Sequence, residues 1–373
     1  MAETMRAAVL TSYGGPLHLT RVPVPETPEA GALVRVAAAG VCRSDLHLRK
    51  GELRDLTPMR LPTILGHEIT GVVEALGPAA QGPPAGTPVL VYAPVSCGRC
   101  RPCLNGTEQM CDSASRLGIG RQGGCAELVA VPRADRQLIA LDGLSEVEAA
   151  PLGDAALTSY RGIRRVALHL KPDSALVVIG MGGLAQYAVQ LARQCTTALV
   201  IVAMRHAARR EARARELGAD VVIDLTGADA GARLRSACPR GAADAVLDAV
   251  GLETTMRFGA EALAPGGHLV VVGSMLGRIP FGWNCAPLEA TFSTSFWGSL
   301  NELHDVLALA RRGRLRSDIV TYSLDDIEQA HADLAASRIP GRAVLLPGPG
   351  PSSSHRPAAT RPERHHHSEG DKE

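Results

Sequence analysis

From Ala175 onward the chain repeats one pattern: a short unbroken apolar run, then a longer stretch of helical period. The runs are Ala175–Ile179, Leu199–Met204, Val221–Ile223, Ala245–Ala249, His268–Val272 and one near Phe292–Trp297. Apolar runs without alternation, separated by helical segments, predict strands of a parallel sheet covered on both faces. Six of them predict a doubly wound α/β sheet. Residues 5–155 have a different texture. Arg6–Leu10, Ala32–Ala38, Ile69–Leu76, Thr87–Tyr92 and Cys125–Val131 are short β-like runs broken by Gly and Pro clusters, which predicts irregular β-rich structure. Mixed structure resumes near Asn301 and closes on a strand at Arg342–Leu346. The expected division is a β-rich domain over 1–155, a doubly wound domain over 156–298, a return segment over 299–347 and a disordered tail over 348–373.

Length and charge narrow the classes. With 373 residues there is room for two domains with their own cores. A formal net charge of +1 offers nothing to nucleic acid or to an anionic membrane. Lys is confined to Lys50, Lys171 and Lys372, while Arg is abundant. The start at Met1 lacks the charged and apolar regions of a secretory signal, and no apolar run reaches membrane-spanning length. Nine cysteines, four of them clustered, fit a reducing compartment, so a cytoplasmic protein is expected. His365, His366 and His367 in the tail are read as incidental.

Cys97, Cys100, Cys103 and Cys111 follow the spacing C-x2-C-x2-C-x7-C. Four thiolates this close suit one tetrahedral soft cation and leave no position for substrate, which predicts a structural zinc lobe at about 96–112. A looser set, Cys42, His67 and Asp154, offers one thiolate, one imidazole and one carboxylate, the donor pattern of a catalytic zinc with an open position. Spacing alone does not separate this set from three unrelated buried residues. Cys125, Cys195, Cys238 and Cys285 have no metal spacing and are read as small apolar residues.

Gly180-x-Gly182-x-x-Ala185 follows a predicted strand and opens a predicted helix, the context that a dinucleotide fingerprint requires. Gly180 permits the tight turn, and Gly182 lets the backbone approach a pyrophosphate at the helix N-terminus, beside Gly183 and Leu184. At the end of the second strand an acidic residue would select NAD. Here Ala203-Met204-Arg205-His206 is followed by Arg209 and Arg210, and the first carboxylate is Glu211. Arg205, with Arg210 nearby, can pair with a 2′-phosphate, so NADP(H) is favoured over NAD(H).

These motifs together resemble the zinc-dependent alcohol dehydrogenases of the medium-chain dehydrogenase/reductase superfamily, over about residues 5–347. The resemblance rests on Cys42-Arg43-Ser44-Asp45-Leu46-His47, Gly66-His67-Glu68, the four-Cys lobe, the Asp154 segment, the fingerprint and Gly341-Arg342. Many members use Cys as third catalytic ligand; Asp154 follows a bacterial branch active on secondary alcohols. The implied fold is a GroES-like catalytic domain interrupted by a six-stranded Rossmann domain. The implied activity is hydride transfer between a nicotinamide cofactor and an alcohol or ketone at zinc. Two zinc ions per chain are implied, one catalytic (Cys42, His67, Asp154) and one structural. The implied roles continue with Ser44 taking the alcohol proton, His47 at the outer end of the proton relay, and Asp45 and Glu68 orienting His67. Arg43 and Arg342 would meet the pyrophosphate, Thr158 the nicotinamide, and Gly273 and Ser274 would lie beside the cofactor. Relatives are homodimers or homotetramers.

The substrate is less legible. The segment Tyr92-Ala93-Pro94-Val95 would line the pocket, and Ala93 and Val95 leave room there, which favours bulky or secondary substrates such as aryl or branched ketones. The alternatives are a polyol or amino-alcohol dehydrogenase with both zinc sites, a zinc-free reductase of the same superfamily, and a non-catalytic binding or sensor protein on the same fold.

Overall fold

A computed structural model describes residues 3–348. The expected tail and its three histidines lie outside the described residues. Six strands form one parallel sheet in the order Val221–Asp224, Leu199–Met204, Ala175–Ile179, Ala243–Asp248, Leu263–Val271, Thr291–Thr294. Every neighbouring pair in it is parallel. All five residues of Ala175–Ile179 are buried, because helices cover both faces. The chain leaves this strand in opposite directions, first to Leu199–Met204 and later to Ala243–Asp248. The crevice at the carboxyl ends of these strands is therefore a switch point, the place where open α/β sheets bind ligands. The sixth strand is shorter than its apolar run: it stops at Thr294, and the backbone turns at Trp297 with φ 49°.

The β-rich part is built on a seven-stranded sheet. Its path runs Leu138–Ala140, Pro88–Val91, Glu68–Leu76, Ala32–Val41, Arg342–Leu346, Ile319–Ser323, and Leu128–Val131 also pairs with Ala32–Val41. The last strand of the chain thus sits beside one of the first, with Ala343 opposite Val41 and Val344 opposite Gly40. On the other side of Ala32–Val41, Gly40 faces Glu68. A Cβ on Gly40 would lie 1.9 Å from the Glu68 carboxylate, so only glycine lets that side chain cross the sheet here. These registers bring Cys42, Glu68 and Arg342 together from opposite ends of the sequence. A small sheet of Pro94–Val95, Ser115–Leu117 and Gly120–Arg121 carries the four-Cys lobe. Among the described residues, no helix is long and apolar enough to cross a membrane.

Candidate active site

Three segments deliver three candidate ligands to one point. Cys42 ends the strand Ala32–Val41 and caps the helix Arg43–Lys50. Gly66, at φ 95°, turns the chain so that His67 enters at the head of Glu68–Leu76. Asp154 immediately precedes the helix Ala155–Ala167. Asp154 Oδ2 lies 3.7 Å from Cys42 Sγ and 3.6 Å from His67 Nε2. Ligands at ~2.0–2.3 Å from a tetrahedral zinc are separated by about 3.3–3.8 Å, so the three atoms match the edges of such a site. All three residues are buried. The donor set fits zinc with a position left for substrate.

The surroundings of the site fix its charge. His67 Nδ1 faces Asp45 Oδ1 at ion-pair distance, 3.3 Å, and both atoms are buried without a hydrogen-bond partner. Asp45 is itself anchored by the Cys42 N–H, which donates to its Oδ2 at 2.9 Å. This carboxylate faces the Nδ1 side of the ring, while Nε2 points toward the ligand cluster. Burial opposes the charge of Asp154, yet His67, Arg342 and the Thr158 hydroxyl hold its carboxyl at about 2. Burial likewise opposes protonation of His67, but Asp45 and Asp154 raise it well above an ordinary histidine. Glu68 does not turn to the His67 ring. It forms a bidentate, fully buried ion pair with Arg342, whose Nε donates to Oε2 at 2.9 Å. The same guanidinium lies 3.6 Å from Asp154 Oδ2 and close to Gly183 at the fingerprint. It therefore links the zinc-ligand cluster to the nucleotide turn.

The other candidates divide into those gathered at the site and those held elsewhere. Ser44 Oγ lies 3.3 Å from His67 Nε2. Thr158 Oγ1 donates to Asp154 Oδ1 at 3.0 Å. His47 is buried; Nδ1 contacts Glu52, and Nε2 lies 3.2 Å from Met275 Sδ beyond the fifth strand of the parallel sheet. Gly180 sits at φ 107°, and a Cβ on Gly182 would meet nothing within 4 Å, leaving the open cradle a pyrophosphate needs. The Leu184 carbonyl accepts from Ser159 Oγ. Gly273 donates its N–H to the Asp248 carbonyl at the crevice, and Ser274 is exposed beside it. Arg205 is exposed after the second strand and has no side-chain partner among the described residues. Arg210 is not: it donates to the carbonyls of Met181, Ser337 and Ile339 and ties the fingerprint turn to the return segment. Arg43 donates to the Leu334 carbonyl.

In the lobe, Cys100 Sγ lies 3.4 Å from Cys103 Sγ and 3.7 Å from Cys111 Sγ, and Cys97 Sγ lies 4.0 Å from Cys103 Sγ. Backbone N–H groups of Arg99 and Cys100 pull the Cys97 thiol down to about 6, while burial and the neighbouring thiols push Cys103 up to about 12. Four thiols in such contact cannot all ionise without sharing a cation, and their spacing fits one zinc. Of the remaining cysteines, Cys125 and Cys238 are buried as expected, but Cys285 is exposed.

Three further residues shape the site; of these Glu108 carries no sequence signal, while Tyr92 was expected only as part of the pocket lining. The Trp297 ring meets His67 edge to face at 5.5 Å, and its Nε1 donates to the Gly153 carbonyl beside Asp154. Tyr92 is buried and donates to the Gly298 carbonyl at 2.7 Å, so it braces the Trp297 segment. Glu108 of the lobe accepts from the Leu300 N–H in the same segment.

Known proteins share this fold. The family model for the alcohol dehydrogenase GroES-like domain matches residues 28–142, and that for zinc-binding dehydrogenase matches residues 183–312. A D-arabinose 1-dehydrogenase (NADP(+)) of Saccharolobus solfataricus is 35% identical, over 92% of this chain and 97% of its own. The crystal structure of the Aeropyrum pernix alcohol dehydrogenase superposes with a TM-score of 0.86 at 32% identity, covering 92% of this chain and 100% of that one. An acetophenone reductase from Geotrichum candidum, in complex with NAD, gives 0.81 at 28% identity, over 93% and 98%. The chain belongs to the zinc-dependent alcohol dehydrogenases of the medium-chain dehydrogenase/reductase superfamily, and it is an NAD(P)-dependent alcohol dehydrogenase and carbonyl reductase.

Proposed function

We propose that this enzyme is an NADP(H)-preferring reductase of bulky or aryl ketones, running in reverse on the matching secondary alcohols, with two zinc ions per chain. The observation that carries the reading is the meeting of Cys42, His67 and Asp154 at ligand spacing beside the switch-point crevice. When bound, zinc supplies a Lewis acid and the nicotinamide supplies or accepts hydride. The chain's own residues orient and move the proton. Asp45 fixes His67. Ser44 Oγ takes or returns the alcohol proton, and His47 holds it at the outer end of the relay. Arg342 neutralises Glu68 and faces the pyrophosphate side of Gly183. Thr158 steadies Asp154. Ala93 is small in the segment that the resemblance assigns to the pocket lining, and the Trp297 ring against His67 favours an aryl substrate.

The NADP(H) preference is supported by exposed Arg205 and by the lack of a carboxylate at the end of the second strand. Asp224, on the neighbouring strand, is occupied by the Ala207 N–H and Thr226. Titration of the zinc-loaded enzyme with NADPH and NADH tests this. NADPH should bind more tightly, and Arg205→Ala should cost at least about tenfold for NADPH alone. Tighter binding of NADH would overturn the preference.

The division into catalytic residues 1–155 and 299–347 around nucleotide-binding residues 156–298 is supported by the pairing of Arg342–Leu346 with Ala32–Val41. A homodimer or homotetramer is supported by the outer edge of Thr291–Thr294 and by exposed Phe281, whose ring meets Phe292 of that strand. A monomeric mass in solution would refute it. A cytoplasmic setting is supported by nine free cysteines, and secretion of the natural protein would exclude it. The similarity to a D-arabinose dehydrogenase favours a second reading, a sugar or polyol dehydrogenase, which a substrate panel separates from the first.

A further inference from the structure

An aromatic row that starts at the ligand cluster ends on a cation that has no partner among the described residues. Arg116 stands on Ser115–Leu117, which pairs with Pro94–Val95. Two residues on, Gly118 packs so closely on Gly66 and His67 that a Cβ there would lie 2.3 Å from the Gly66 carbonyl oxygen. Arg116 is therefore fixed beside the segment that carries a zinc ligand. Its guanidinium carbon lies 4.7 Å from the Phe296 ring centroid. Phe296 meets Trp297 at 6.0 Å, and Trp297 meets His67 at 5.5 Å. The cation closes the outer end of an aromatic row whose inner end is the ligand cluster.

The charge of Arg116 is unspent. The side chain is half-buried, its Nε is buried without a hydrogen-bond partner, and burial lowers its pKa. Among the described residues no carboxylate pairs with it. The acidic groups of the neighbouring elements are engaged: Glu108 accepts from the Leu300 N–H, and Glu302 from the Ser299 N–H and Arg161. An arginine whose task is only to cover Phe296 would keep its donors in water. This one gives up part of its hydration while five N–H donors lack a protein acceptor.

We propose that Arg116 selects substrates that carry an anionic group, pairing with a carboxylate on the substrate while the reacting carbon lies against His67 and Trp297. This inference rests on the ketone reductase reading and narrows its substrate class. A ketone or secondary alcohol on an aryl frame, with a carboxylate at the far end, matches the chemistry of the row, an aromatic face for Phe296 and Trp297 and a planar anion for the guanidinium. Phosphate would offer related chemistry without the planar match to a guanidinium.

The test uses the zinc-loaded enzyme saturated with NADP+, titrated calorimetrically with acetophenone, 4-acetylbenzoate and 4-acetylphenyl phosphate. The expected result is at least tenfold tighter binding of 4-acetylbenzoate than of acetophenone. That ratio should fall to near one in Arg116→Met and be partly kept in Arg116→Lys. Tighter binding of the phosphate ester than of the benzoate would overturn the carboxylate assignment. Equal binding of charged and neutral ketones, no binding of any, or a ratio unchanged in Arg116→Met would overturn the proposal. Turnover is then measured with NADPH and NADH. Binding without turnover of any ketone would refute the reductase reading and leave the anion selection standing.

Discussion

Replacing Arg342 by Met should destabilise this enzyme far more than replacing its partner Glu68 by Gln. The guanidinium holds Glu68 through two bonds, both residues are buried, and Asp154 lies 3.6 Å away. Arg342→Met strands Glu68 in the sheet beside a second carboxylate. Breaking a buried pair from one side costs about 3–5 kcal/mol. At roughly 2–4 °C per kcal/mol for a unit of 150–250 residues, Tm should fall by at least about 6 °C. Glu68→Gln leaves Arg342 still facing Asp154 and keeps a side chain that fits over Gly40, so it should cost on the order of 1 kcal/mol. The double variant Arg342→Met, Glu68→Gln removes both charges of the pair and should recover much of the loss, because the buried Glu68 carboxylate is no longer left unpaired. Thermal melts of the four zinc-loaded proteins, with zinc content measured in each, form a double-mutant cycle. A loss below about 1 kcal/mol for Arg342→Met, or a double variant equal to the sum of the singles, would refute the reasoning.

Two further outcomes test the metal sites and the nucleotide domain. Elemental analysis should find two zinc ions per chain. Cys103→Ser should lose one of them and lower Tm, while Asp154→Ala should lose the other and abolish turnover; a single zinc in the unaltered protein would sink the assignment. In the parallel sheet, His268 Nε2 lies 2.7 Å from Ser293 Oγ, and burial, then His169 and Arg165, push its pKa down to about 4. Its folded pKa lies below the ordinary 6.5, so the unfolded chain binds the extra proton. Stability is then fully present above about 6.5 and lost as pH falls toward 4, by on the order of 2 kcal/mol after allowing for partial solvation. His268→Gln should flatten that part of a Tm-against-pH curve, and an unchanged slope would contradict it.

The parallel sheet was the most legible part of the chain. Its strands are buried on both faces, so their apolar runs need no partner to be recognised, and Ala175–Ile179 and Leu199–Met204 end where the pattern ends. The sixth run overshot because an apolar residue does not report φ: Phe296 and Trp297 continue the hydrophobicity while the backbone has already turned. The four-Cys lobe was legible from its spacing, whereas Cys42, His67 and Asp154, far apart in the chain, were legible only through the family resemblance. Their neighbours were not. Arg210 looks like a phosphate ligand on paper, yet three carbonyls of the fingerprint turn and return segment occupy it. Arg116 and Glu108 belong to no motif, and only the approach of the lobe to the Trp297 segment gives them a role.

That approach gives the lobe a role at the site that spacing does not reveal. Its four cysteines touch no candidate catalytic residue. Glu108 nevertheless holds the Leu300 N–H, Tyr92 holds the Gly298 carbonyl, and Gly153 holds the Trp297 indole. Trp297 adopts a positive φ that a bulky side chain reaches only at a cost of about 1–3 kcal/mol, so this bracing is what keeps its ring against His67. The lobe, the nucleotide domain and the ligand cluster therefore meet at one indole. The wall of the pocket is only as well defined as the lobe that supports it.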